Sequence, residues 1–380
     1  MAPIEALFNP LELGDTTLKN RITMSAMTRD RAENTYPTDL MKKYYIERAS
    51  AGLIVSEGIL ISRQGTEWPN APGLWDDKHV AGWKNIVDGV HQAGGKMYAQ
   101  LWHTGRVSHP DAPEQKLAGT PVWAPSAISA RGGKFRHIPG VPGYVTPKAV
   151  DDPTILIDQY KQAALNAKRA GFDGVELHGA NGYLVAQFLD YNSNQRTDKW
   201  GGSIENRARF GLEVLKSLTE IFGNNVSVKL SPCGGYNDVG MPYQDTIDHY
   251  SYFIQEAEKL NLSYFTLMRY AEATDLVLDG KHRATKLDVV KEFRPLMKRA
   301  KCIINAGVTP EEGAELVSEG KADAIAIAFN YVAHPDLVDR VQRGLPLDNT
   351  LDVKRLYGGP EVDKWPVGYI NYPKAVSVKN

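Results

Sequence analysis

Cysteine is almost absent. Cys233 and Cys302 are the only two among 380 residues, which leaves no disulfide framework and no thiolate metal site and makes a reducing compartment the default. Net charge is lacking too: 44 Lys and Arg stand against 45 Asp and Glu, a formal −1, so there is no electrostatic footprint for nucleic acid or an anionic membrane. The longest apolar run, Ala324 to Phe329, is far short of a bilayer span. The opening MAPIEALFNPLELGD carries acidic residues where a signal peptide is basic, and the closing SVKN is neither a peroxisomal tripeptide nor a lipidation signal. These absences predict a cytoplasmic protein whose partners are small molecules, with no nucleic acid and no membrane among them.

Motifs are missing as well. The chain has no GxGxxG, indeed no GxG, and no Walker A, HExxH, CxxC or GxSxG. Classical dinucleotide folds, P-loop enzymes, zincins and α/β-hydrolases therefore lose their main support.

What is present is a globular composition, 42% hydrophobic, 9% aromatic and 23% charged, enough to bury a large core. Short β-branched runs alternate with longer amphipathic ones. The strand candidates are Arg21 to Ala26, Leu53 to Ile61, Lys96 to Leu101, Gly174 to His178, Val226 to Leu230, Leu262 to Met268, Cys302 to Asn305 and Ala324 to Ala328. Eight such units predict a (β/α)₈ TIM barrel spanning residues 1–380 as a single domain. Helix starts are marked by Asp152-Pro153 and by Thr309-Pro310-Glu311-Glu312, which reads as a capping box with Pro at the first helical position. Residues 102–150, rich in Gly, Pro and His, read as a loop excursion over the C-terminal face of the barrel. The aromatic-containing tail, 356–380, is expected to fold back near the barrel mouth.

In such a barrel, chemistry sits where strands end at their C-terminal side. The fourth strand runs GVELHGANGYLVAQF, and at its end His178, Asn181 and Tyr183 fall within six positions. A neutral His and an Asn amide each donate a hydrogen bond, and two fixed donors stabilise a developing enolate, each contributing very roughly 3 kcal/mol. A Tyr, protonated at neutral pH, serves as general acid. Alone, His178 reads as a satisfied core histidine; the three together read as a site.

The segment from Gly174 through Phe210, including HGANGYLVAQFLDYNSNQRTDKWGGSIENRARF, resembles the old yellow enzyme family of FMN-dependent ene-reductases. FNPLELGDTTLKNRITMSAMTR, QLWHTGRVSHP, NAGVTPEEG and AHPDLV extend the resemblance in order along the chain. The resemblance implies an FMN-dependent, NADPH-oxidising reductase of the C=C bond in α,β-unsaturated aldehydes or ketones. It places His178 and Asn181 on the substrate carbonyl, with Tyr183 as proton donor. It also places Thr28, Gly58 and Gln100 at the flavin ring, and Trp102 and Tyr357 in the substrate pocket. The run Arg196 to Ser203 reads instead as a structural loop leading into a helix.

Two arginines of the family pattern are absent. Lys229 stands where the family has Arg beside the flavin ring, keeping the charge but not the planar fork. Ala328-Phe329 stands where the family has Gly-Arg at the FMN phosphate, leaving the backbone around Gly307, Val308, Ala328 and Phe329 to hold it. FMN is expected to bind, weaker by about one to two orders of magnitude. The missing arginine also motivates two alternatives: a flavin-independent isomerase or cyclase in a specialised biosynthetic pathway that uses the same three residues, and a barrel that only sequesters a ligand.

Overall fold

Each of the eight apolar runs becomes a short strand buried on both faces, as parallel strands covered by helices must be. The computed structural model describes residues 3–135 and 137–375. Its barrel strands are β1 Ile22–Met24, β2 Leu53–Leu60, β3 Met97–Trp102, β4 Gly174–Gly179, β5 Val226–Leu230, β6 Tyr264–Met268, β7 Lys301–Asn305 and β8 Ala324–Ile327. Every strand pairs in parallel with its successor, and β8 returns to β1, closing the barrel in chain order. The architecture is the (β/α)₈ barrel. The first strand is shorter than the expected Arg21 to Ala26, because the chain leaves the sheet on either side of Ile22–Met24.

The outer helices are α1 Asp39–Ile46, α2 Asp77–Gln92, α3 Thr154–Arg169, α4 Ile204–Phe222, α5 Tyr243–Glu258, α6 Val289–Phe293, α7 Pro310–Ser318 and α8 Leu337–Gln342. Side chains of Thr38, Asp76, Ser203, Asp288 and Thr309 accept first-turn N–H groups and fix where five of them start. At Thr309 the capping box is only half made. The hydroxyl accepts from the Glu312 N–H at 3.2 Å, but the Glu312 carboxylate turns away to the Arg269 guanidinium, a charged partner that a neutral N–H does not outcompete.

An antiparallel hairpin, Leu11–Leu13 with Thr16–Leu18, contributes Leu11, Leu13 and Leu18 to an apolar cluster with Leu53, Tyr98, Tyr264 and Ile303 at the barrel's N-terminal end. The opposite end is left for chemistry. Residues 102–150 are less irregular than expected: they hold a helix, Pro113–Ala118, and a parallel pair, Trp123–Ala124 with Lys148–Ala149. Val107, Ala112, Phe135 and Ile138 from this segment form a second small core with Leu60, Trp102 and Tyr183. A hairpin after β6, Val277–Leu278 with Lys281–His282, was not expected from the sequence. Arg196 ties the loop before α4 to the carbonyls of Pro125 (3.1 Å) and Val150 (2.7 Å), so that run is structural.

The tail folds back, as its aromatics require. Buried Arg29 donates to the carbonyls of Leu356 (2.9 Å) and Gly368 (2.8 Å), and buried Arg31 to that of Trp365 (2.9 Å). Tyr369 stacks on Tyr44 at 4.1 Å between ring centres. Residues 376–380 of the predicted tail lie outside the described residues.

Candidate active site

Polar side chains of neighbouring barrel strands bond to one another around Glu176. Gln100 Nε2 donates to Glu176 Oε1 (2.8 Å), and Thr266 Oγ1 donates to Glu176 Oε2 (3.1 Å). Lys229 on β5 lies beside His178 in the strand register and donates from Nζ to Ser25 Oγ at 3.3 Å. Burial holds the Lys229 ammonium below its ordinary range, opposed by the Glu176 carboxylate, while burial pushes Glu176 up against the pull of Lys229.

His178 is buried at the end of β4, where its Nδ1 accepts the Ala180 N–H at 3.3 Å. That bond assigns the proton to Nε2 and makes Nε2 a donor. Burial first, and the neighbouring Lys229 cation second, push the imidazole down to about 3, so it stays neutral at physiological pH. The chain then turns through Asn181 at φ 57°, a left-handed conformation that Asn tolerates better than most residues. Its backbone is braced on both sides: the N–H donates to Ser231 Oγ (2.8 Å) and the carbonyl accepts from Asn237 Nδ2 (2.9 Å). Neither brace was singled out from the sequence. Ser231 directly follows β5 and passes the strand-end filter; Asn237 sits in a loop and carries no such signal.

Tyr183 completes the cluster. Its ring meets His178 edge-on at 5.1 Å and Trp102 edge-on at 5.0 Å, and Trp102 lies nearly parallel to His178 at 6.1 Å. Burial pushes the Tyr183 phenol well above 10, reinforced by Tyr236, Glu67, Tyr357 and Tyr144 around it. The structure thus brings His178, Asn181, Tyr183 and Trp102 together and sets Tyr357 nearby, against Trp68 at 4.7 Å between ring centres. Among the described residues, no hydrogen bond occupies His178 Nε2, the Asn181 carboxamide or the Tyr183 hydroxyl.

Gly58 lies opposite Gln100, next to a register shift between β2 and β3 at Val55/Gly58. A Cβ on Gly58 would stand 2.7 Å from the Trp102 ring, so glycine here lets the indole sit flat against the strand. Thr28 is half-buried beyond β1, immediately before Arg29, whose N–H donates to Glu57 Oε2 at 3.1 Å.

A second region lies past β7 and β8. Ala306 and Gly307 both adopt positive φ, 75° and 69°. A Cβ on Gly307 would meet only Arg269 Nη2, at 3.9 Å. No acceptor among the described residues takes the N–H groups of Gly307, Val308 or Ala328. Phe329 follows, 56% exposed, where a cation would be expected. Open backbone N–H groups at a left-handed turn suit an anion, and a buried ammonium with one long hydrogen bond suits the carbonyl edge of a heterocycle. These two sets of residues have the chemistry to suit the ring and the phosphate of a flavin nucleotide.

Residues 6–348 match the model of the NADH:flavin oxidoreductase / NADH oxidase family. The chain belongs to this family, the old yellow enzymes. The old yellow enzyme homologue from Zymomonas mobilis is 34% identical, with a TM-score of 0.87 over 97% of this chain and 99% of that one. The chanoclavine-I aldehyde reductase fgaOx3 of Penicillium roqueforti is 36% identical over 96% of this chain and 95% of its own length. The probable inactive reductase easA of Epichloe festucae var. lolii is 37% identical over 97% of this chain and 94% of its own. As an old yellow enzyme, the chain belongs to a family of flavin oxidoreductases. No helix among the described residues is long and apolar enough to cross a membrane.

Proposed function

We propose that the protein is an FMN-dependent, NADPH-oxidising reductase of the C=C bond in α,β-unsaturated aldehydes or ketones. The observation that carries this reading is the packing of the His178 and Tyr183 rings against each other and Trp102 at the end of β4, with Asn181 braced in the turn between them. Bound FMN supplies the hydride acceptor and donor chemistry. Lys229, Gln100 and Thr28 are suited to hold its ring. The backbone of Gly307, Val308, Ala328 and Phe329 is suited to hold its phosphate.

The chain's own groups do the rest. His178, neutral and protonated on Nε2, donates to the substrate carbonyl oxygen, and the Asn181 amide donates to the same oxygen. Both donors strengthen as negative charge develops there during hydride delivery to the β-carbon, which is the differential binding that accelerates a step. Tyr183 then gives its proton to the α-carbon and regains one from solvent. Its burial keeps it protonated until that moment. Trp102 holds the two rings in place, and Tyr357 lines the approach. A cytoplasmic setting fits the two free, buried cysteines.

The chanoclavine-I aldehyde reductase supports an aldehyde as substrate class. The flavin-independent isomerase is not favoured, since only the absent arginine at position 329 speaks for it. The test is anaerobic turnover: NADPH-reduced protein mixed with cyclohex-2-enone regains the oxidised flavin spectrum and forms cyclohexanone. Protein stripped of flavin that turns the enone over equally well would reject the reading.

A further inference from the structure

The rim beyond β7 lacks a cation at position 329, yet an arginine stands on its other side. We propose that Arg269, the first residue after β6, anchors the phosphate of the bound flavin nucleotide in place of the absent arginine. The proposal rests on the FMN reading above.

Arg269 is built into the rim. Its backbone N–H donates to Asn305 O at 3.0 Å, fixing it beside the end of β7, and its Nε donates to Ala306 O at 3.1 Å. These two bonds aim the guanidinium at the left-handed Ala306-Gly307 turn. Nη2 stands 3.9 Å from where a Gly307 Cβ would be. A cavity of about 900 Å³ between α6 and α7, lined also by Val290 and Leu316, reaches this turn at Arg269, Ala306 and Gly307. The unclaimed N–H groups of Gly307 and Val308 and the fork of Arg269 thus belong to one rim, the combination that suits a phosphate.

The arginine is held by a partner it can leave. Glu312 takes both terminal nitrogens, Nη2 to Oε2 at 3.0 Å and Nη1 to Oε1, but the two side chains are 27% and 38% exposed, so water screens this pair more than a buried one and a more highly charged anion can compete with the carboxylate. A phosphate dianion brings more charge than one carboxylate. Glu312 also has another partner within reach. The Thr309 N–H has no acceptor among the described residues, and the unmade half of the capping box is the bond from that N–H to the Glu312 carboxylate. Phosphate on Arg269 and Glu312 on Thr309 is therefore a consistent second arrangement of the same residues. Reach, charge and open backbone all come from β6 and β7, which explains how the chain keeps a phosphate site with phenylalanine at position 329.

The test separates the phosphate from the ring by titrating apoprotein with FMN and with riboflavin, following quenching of flavin fluorescence. Arg269→Ala is expected to raise the FMN Kd by about ten- to a hundredfold and leave the riboflavin Kd unchanged. Arg269→Lys is expected to recover part of the loss, and Glu312→Gln to tighten FMN, because it removes the competing carboxylate. An unchanged FMN Kd in Arg269→Ala, equal losses for both flavins, or weaker FMN in Glu312→Gln would each overturn the anchor. Wild-type protein that binds FMN no more tightly than riboflavin would overturn the anchor and leave the flavin reading standing. Wild-type protein that takes up neither flavin would end both.

Discussion

The end of β4 and the ends of β7 and β8 solve different problems with different economies. After β4, every functional group is fixed by something else: Ala180 sets the His178 tautomer, Ser231 and Asn237 clamp the Asn181 backbone, and Trp102 walls in Tyr183. After β7 and β8, the backbone is left open and the nearest cation is shared with Glu312. The first arrangement requires atoms placed to a fraction of an ångström. The second needs only positive potential around a bulky anion, which several side chains can supply from several directions. On the proposed reading, a lost arginine is therefore replaceable at one end, whereas a lost tyrosine at the other is not.

Breaking the β4 end should cost most. Tyr183→Phe keeps the ring and removes the acid, and is expected to lower kcat with an enone by about 10²- to 10⁴-fold, while NADPH still reduces the flavin; stopped-flow spectra of the two half-reactions check this. His178→Ala removes one oxyanion donor and should cost about 10²- to 10³-fold in kcat. If its melting temperature fell in proportion, His178 would be a packing residue instead. At the other end, Phe329→Arg should tighten FMN by about ten- to a hundredfold and leave the enone half-reaction unchanged, measured on flavin-saturated protein.

Two smaller effects sharpen the contrast. Gly58→Ala pushes a methyl group into the Trp102 ring and should cost about 1–3 kcal/mol of stability by denaturant titration, raising KM for the enone. The pH dependence of kcat should be flat from about pH 5 to 9, because His178 is pushed down to about 3 and Tyr183 well above 10. An acid limb near His178's ordinary value of about 6.5 would show a cationic imidazole. The sign for stability is opposite to that of a paired histidine. His178 is neutral when folded and protonates when unfolded, so its contribution is complete above about 6.5 and is lost as pH falls from there towards about 3.

The eight strands were legible because each is a short, largely apolar run followed by a helical period or a loop leading to one, as in Ala324–Ile327, and such runs have few other ways to bury both faces. His178, Asn181 and Tyr183 were legible because a strand end concentrates them in one turn. What escaped was pairing across the chain. Thr309-Pro310-Glu311-Glu312 looks locally complete, and nothing nearby in sequence says that Glu312 belongs to Arg269. The small core under residues 102–150 was hidden for the same reason, since Phe135 and Ile138 have no periodicity of their own and meet Trp102 only in three dimensions.

The tail has a bearing on how the chain is made. Arg29 and Arg31 are buried just after β1, yet carbonyls they require belong to Leu356, Trp365 and Gly368. These two charges are made more than 300 residues before these acceptors, so their burial cannot be completed until residues 356–368 have been made. Until then a partly folded chain must keep both guanidinium groups in water, since burying an uncompensated charge costs several kcal/mol. The tail thus acts as a latch on the segment just after the first strand, and a chain cut before position 356 is expected to pair β8 with β1 yet leave Arg29 and Arg31 without these acceptors.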